Sequence, residues 1–137
     1  MTSQSIEFNK IKDDSTLPEI VRKSFRVPVE AKENVWAVIN KKRYSAQDIC
    51  PNGIGIILEN NSAFAVEQTL LNCELNIFNL LIKNLNGKVV HLSPGSGEKW
   101  QCGIKWMDME KGAADQISKI VFKMKEQLLQ DNYILID

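Results

Sequence analysis

Leu71, Cys73, Leu75 and Ile77 alternate with Asn72, Glu74 and Asn76, the period of two by which a strand turns one face to a core and the other to water. Trp100, Cys102, Ile104 and Trp106 repeat that period. Upstream, Val35 to Ile39, Tyr44 to Ile49 and Ile54 to Leu58 read as further strands, separated by Asn40-Lys41-Lys42-Arg43 and by Pro51-Asn52-Gly53, and Val27 to Ala31 begins the first strand. Within Asn84 to Leu92 the Asn86-Gly87 step predicts a tight turn ahead of the β-branched pair Val89-Val90, because Asn and Gly accept positive φ angles. Ser93-Pro94-Gly95-Ser96-Gly97 reverses the chain again. Short strands joined by turns, with no helix between them, make an antiparallel meander, and closing it into a small barrel removes its exposed edges.

After Met109 the period changes. Ile117, Ile120, Val121, Met124 and Leu128 fall at i, i+3, i+4, i+7 and i+11, one face of a helix, with Lys119, Lys123, Lys125 and Glu126 on the other side. The stripe predicts a helix over about 111–130 that lids the barrel or packs a partner helix. The polar segment before about residue 20 reads as a flexible leader. The tail, 132–137, contains Tyr133-Ile134-Leu135-Ile136 and reads as a short strand or an extended docking segment.

Length and charge narrow the function. A chain of 137 residues fits one domain, which buries roughly two-thirds of its unfolded surface without staples. Its 17 basic residues equal its 17 acidic ones, so no whole-molecule field draws nucleic acid or an anionic membrane, and anion recognition must be local. Cys50, Cys73 and Cys102 form no CxxC pair, the first ten residues are polar, and no apolar stretch nears the ~18 residues of a membrane span. These features predict a cytoplasmic protein with reduced thiols.

Two clusters carry candidate chemistry. In Arg22-Lys23-Ser24-Phe25-Arg26 two guanidiniums stand four residues apart, a spacing that lets both converge on one polyanion if the segment is helical or tightly looped. The Arg fork bonds phosphate oxygens bidentately, pairs with guanine O6 and N7, and stacks on a purine face. The plain alternative is a solvated charge cluster. The second cluster, Asp48-Ile49-Cys50-Pro51-Asn52-Gly53-Ile54-Gly55, puts a carboxylate at the end of one strand and a turn before the next. Such a carboxylate accepts the paired N1 and N2 donors of guanine. Gly53 permits positive φ and close approach of a flat ligand to the backbone. An ordinary hairpin turn is the competing reading, and the two are compatible.

The pair of motifs resembles the PilZ domain family, whose signature is RxxxR followed some twenty residues later by [DN]xSxxG, then a barrel and a C-terminal helix. RKSFR matches the first motif, and DICPNG matches the second at Asp48 and Gly53 with Cys50 in the serine position. Gly103-Ile104-Lys105-Trp106 looks like the family's last strand, and the likeness runs from about Val21 to Gln130. It implies a mainly β fold, a six-stranded antiparallel barrel with a C-terminal α-helix, occupying 21–131 with the barrel over about 26–108. It further implies binding of the bacterial second messenger cyclic di-GMP, often as a stacked dimer, with Arg22 and Arg26 on phosphates and guanine edges and Asp48 holding a guanine. By the same likeness Gly53 would shape the turn, Lys23 and Asn52 would assist, and a thiol at Cys50, a weaker donor than serine, would weaken the contact.

The resulting expectation is a receptor that changes conformation on binding cyclic di-GMP and regulates an unidentified downstream protein in trans, with neither enzymatic activity nor nucleic-acid binding. The alternative is a degenerate adaptor that contacts a motility or pilus protein without nucleotide. His91, the sole histidine, has no metal-spaced neighbours and reads as a strand surface residue. Trp100 and Trp106 read as core, and Trp36 as core or stacking platform; Lys41-Lys42-Arg43 reads as a solvated loop. No nucleophile with a base, no acid/base carboxylate pair and no Walker loop is recognisable, and neither metal nor cofactor is implied.

Overall fold

In the computed structural model, which describes residues 26–30 and 33–136, seven strands precede one helix. They are β1 (Val27–Pro28), β2 (Val35–Ile39), β3 (Lys42–Cys50), β4 (Gly53–Leu58), β5 (Thr69–Ile77), β6 (Leu80–Pro94) and β7 (Trp100–Met107), followed by α1 (Lys111–Ile136). Neighbours run β3-β2-β5-β6-β7-β4, and β4 also pairs with β3, so six antiparallel strands close on themselves while β1 adds two residues to the side of β3. Closure leaves the six strands with no long open edge. The barrel and the C-terminal helix thus match the fold expected from the motifs.

Alternation builds the interior. Val35, Ala37 and Ile39 of β2, Ile54, Ile56 and Leu58 of β4, Cys73, Leu75 and Ile77 of β5, and Cys102, Ile104 and Trp106 of β7 are all buried, as a period of two requires. The helix stripe is also as expected. Ile117 and Val121 are buried against the barrel, with Ile120 and Met124 packed beside them. Trp100 is half-buried against the core. No helix of the described residues is long and apolar enough to cross a membrane.

Several local expectations need correcting. Asn86-Gly87 makes no turn: it lies inside β6, where Gly87 pairs with Leu70 on one side and Trp106 on the other. A Cβ there would stand 2.8 Å from Ile104 Cγ2 and 3.3 Å from the Trp106 ring, so glycine is present for close packing. The reversal falls instead at Phe78-Asn79, with Phe78 at φ 56°. The β2–β3 loop is only Asn40-Lys41, both at positive φ (52° and 67°), the two-residue turn whose twist suits a hairpin. Lys42 and Arg43 therefore belong to β3, with the Arg43 guanidinium 3.9 Å from the centroid of the half-buried Trp36 ring.

Leu71, expected in the buried row, is 61% exposed, because Asn72 at φ 56° bulges β5 and Leu70 takes the inward place. β1 is shorter than Val27 to Ala31, and Ala31 lies outside the described residues, as do the leader, Arg22 and Lys23. α1 continues to Ile136, so 133–136 is helical where the sequence suggested a strand or an extended segment.

Candidate functional site

Asp48 would point into the barrel if β3 alternated without interruption, since Ala46 is buried two residues earlier. Instead Ala46 pairs with Ile56 and Asp48 with Gly55, leaving Gln47 as an extra residue in β3. Such a bulge re-aims the side chains beyond it. Asp48 is turned to the outer face, and Ile49 goes inward with no exposure.

On that face Asp48 meets Arg26. Arg26 Nη1 donates to Asp48 Oδ1 over 3.3 Å, with the side chains 36% and 25% exposed. β1 makes the meeting possible: Val27 pairs with Ile49 and Pro28 with Asp48, and Val29 N–H donates to the Gln47 carbonyl at 2.9 Å, which fixes Arg26 beside the end of β3. Of the expected residues, Arg26 and Asp48 are brought together. Arg22 and Lys23 lie outside the described residues.

The remaining motif residues form the β3–β4 turn. Cys50 is 6% exposed, and its thiol is directed back into the turn, 3.3 Å from Asn52 Oδ1 and 3.7 Å from the Gly53 carbonyl, two acceptors for one weak donor. The Asn52 carbonyl accepts from the Trp106 backbone N–H at 2.9 Å, tying the turn to β7. Gly53 does not have the positive φ expected of it; among described glycines only Gly97 does. Its requirement is steric, because a Cβ would collide with the backbone carbonyl oxygen of Ile104.

Two further glycines extend the site. Gly55, beside Asp48, pairs with Gly103 of β7, and Gly103 pairs with His91 of β6. The row across four strands therefore reads Asp48, Gly55, Gly103, His91. The Asp48 carboxylate rests over Gly55, where a Cβ would stand 2.5 Å from Oδ1, and the His91 imidazole rests over Gly103, where a Cβ would collide with the ring. His91 is exposed, as expected, and is aimed by a second irregularity, a register shift between Val89 and His91. Gly55 follows the second motif and Gly103 opens Gly103-Ile104-Lys105-Trp106, but only the strand register gives them this place. The signal was there: glycines in Gly53-Ile54-Gly55 and at Gly103, in strands that otherwise favour β-branched residues.

A groove of about 500 Å³ is lined by chain neighbours of the row, such as Gln47, Ile57 and Gln101, and by none of its four residues. Its floor includes Ile57, two residues beyond Gly55, and Gln101, two residues before Gly103, so the same outward faces of β4 and β7 continue into it. Val29 and Gln47 border it on the Arg26 side, Tyr44 and Lys99 elsewhere. Lys99 Nζ lies 2.6 Å from Glu59 Oε2, and that hydrogen bond holds the Glu59 carboxyl below its ordinary range. Burial raises the Tyr44 hydroxyl above its usual value. Among the described residues no three His, Cys, Asp or Glu side chains cluster as metal ligands.

Chemically, the arrangement offers a planar cation, a carboxylate acceptor and a floor without side chains beside a groove within the 300–1,000 Å³ range typical of small-molecule sites. No curated protein matches the chain. Solved structures do. Apo MrkH of K. pneumonia superposes with a TM-score of 0.68 at 12% identity, over 78% of this chain and 50% of that one. The K. pneumonia MrkH–c-di-GMP complex gives 0.67 at 14% identity, over 77% and 53%. The PilZ domain of Escherichia coli YcgR, solved with c-di-GMP, gives 0.60 at 13% identity, over 79% and 94%. The chain thus spans about half of MrkH and nearly all of the isolated YcgR domain, and at such identities the likeness concerns the fold. The PilZ domain model matches residues 20–123, well over half of the sequence, and with a closed six-stranded barrel beneath that match the chain belongs to the PilZ domain family.

Proposed function

We propose that this protein is a receptor for cyclic di-GMP, held on the outer face of the barrel by Arg26 and Asp48. The observation that carries the reading is the 3.3 Å contact between these two motif residues, 22 positions apart in sequence, beside an open groove. Each is a group the ligand needs. The carboxylate accepts the paired donors of a guanine edge, and the guanidinium fork takes phosphate oxygens. Family membership supports the reading, as do the two similar structures that contain c-di-GMP.

Magnitudes favour an opening site. An ion pair this exposed contributes about 0–1 kcal/mol, whereas each charge-assisted hydrogen bond to the ligand contributes about 1.5–3 kcal/mol. Exchanging the first for the second is downhill. Arg22 and Lys23, four and three residues before Arg26, add cations to the phosphates, while Cys50, Asn52 and Gly53 keep the turn and hence Asp48 in position. Turning Arg26 from Asp48 onto the nucleotide changes the protein's surface, and an unidentified partner in the cytoplasm reads that change in trans. The role is recognition without catalysis.

Calorimetric titration of the purified protein tests this, with cyclic di-GMP in one arm and linear GMP as the control. Saturable binding of the cyclic dinucleotide, well above that of GMP, is expected. Absence of binding at high nucleotide concentration contradicts the reading and leaves a nucleotide-independent adaptor in its place.

A further inference from the structure

We propose that His91 is a ligand-contacting residue that completes the site on the side opposite Asp48; the inference rests on the cyclic di-GMP reading above. Neither of the two motifs contains it. It is reached only through the strand register, in which Asp48, Gly55, Gly103 and His91 form one row across β3, β4, β7 and β6.

Three features of that row point to a ligand. Its two central positions are glycine, and directly opposite cross-strand Cβ positions lie about 4.5–5.5 Å apart, so carboxylate and imidazole rest over adjacent places on one shelf. Both polar groups lie over their glycines rather than standing away from the sheet, which only the missing Cβ atoms allow. Each is turned outward by its own interruption of the ladder, at Gln47 in β3 and between Val89 and His91 in β6, and such interruptions re-aim side chains next to functional sites. A core-forming barrel has no need to bring an acidic and an imidazole side chain together over two glycines.

A guanine whose donor edge meets Asp48 extends over the Gly55–Gly103 pair toward His91. The imidazole then donates a ring N–H to an acceptor oxygen of the same nucleotide, on base or phosphate, and its flat face limits how far the ligand slides along the shelf. Arg26 and Asp48 would be left with their own contacts intact if His91 were removed.

The test compares wild type, His91→Ala and His91→Gln in calorimetric titrations with cyclic di-GMP, and follows the wild-type imidazole by NMR. Because His91 is the sole histidine, its ring resonances are unambiguous. Expected are an affinity loss of about tenfold in His91→Ala, the scale of one hydrogen bond to a charged group, a smaller loss in His91→Gln, which keeps a donor, and displaced imidazole resonances at saturation. Unchanged affinity in His91→Ala overturns the inference. A loss of affinity with unmoved imidazole resonances overturns it too, since His91 would then act only by covering Gly103. Failure of wild type to bind is a different result and sinks the receptor reading itself.

Discussion

Gly53 and Gly55 stand two residues apart in β4, and neither tolerates a Cβ for free, but what the Cβ meets differs. At Gly53 it meets the backbone carbonyl of Ile104, which cannot move without shifting β7. At Gly55 it meets the tip of the Asp48 side chain, 2.5 Å from Oδ1 and 3.2 Å from Cγ, which can swing away. Gly53→Ala is therefore expected to destabilise the fold by about 1–3 kcal/mol, the usual cost of overpacking. Gly55→Ala should cost under ~1 kcal/mol while lowering cyclic di-GMP affinity by about tenfold or more, because it displaces the carboxylate proposed to read guanine. Chemical denaturation and calorimetry on both variants check the contrast. Cys50→Ser should leave affinity within about twofold and the fold intact, since this side chain faces Asn52 and Gly53 rather than the groove and a hydroxyl is the better donor to those acceptors. At this scale the meeting of Arg26 and Asp48 was legible, because Arg and Asp at motif spacing carry chemical meaning by themselves. Gly55, Gly103 and His91 were not, because their meaning exists only in cross-strand register.

Strand register was hardest to read where a single residue interrupts the ladder. β2, β4 and β7 alternate cleanly and were legible, as was the helix stripe of Ile117, Ile120, Val121 and Met124. In β5 the place of Leu71 was misread because a bulge at Asn72, at positive φ, resets the alternation, and a second bulge at Asn84, also at positive φ, interrupts β6. The residue type was the available clue, since Asn is enriched in the left-handed region and Asn40 also occupies it. The Gln47 bulge is the one next to Asp48. Deleting Gln47 removes the extra residue and makes Ala46–Ile56 and Asp48–Gly55 consecutive ladder pairs, so Asp48 should keep its outward place and the register beyond it should hold, which amide exchange would show. Ile117→Ala, which empties a fully buried position beneath α1, should cost about 2–5 kcal/mol without altering the strand register; denaturation and amide exchange would show this.

For the molecule as a whole, balanced charge and a closed barrel imply that the proposed response to nucleotide is local, and its stability should depend on pH through groups in the barrel wall. Burial pushes the Cys102 thiol up to about 11 from 9.0, and burial raises Cys73 and Tyr44 as well. A thiol whose folded value is raised stabilises nothing extra below pH 9.0, where both states are protonated. Above it the unfolded chain loses a proton that the folded chain keeps, so stability falls as pH rises from 9.0 to about 11. Cys102 alone accounts for about 2–3 kcal/mol of that fall, at ~1.4 kcal/mol per unit. Urea unfolding across this range should show the decline, flattened in Cys102→Ala. Whether Arg26 and Asp48 grip one ligand together is decided by the cyclic di-GMP affinities of Arg26→Ala, Asp48→Ala and the double variant. Both single changes should weaken binding by about tenfold or more, and the double variant should bind no more tightly than either. Wild-type affinity in both single variants would contradict the account.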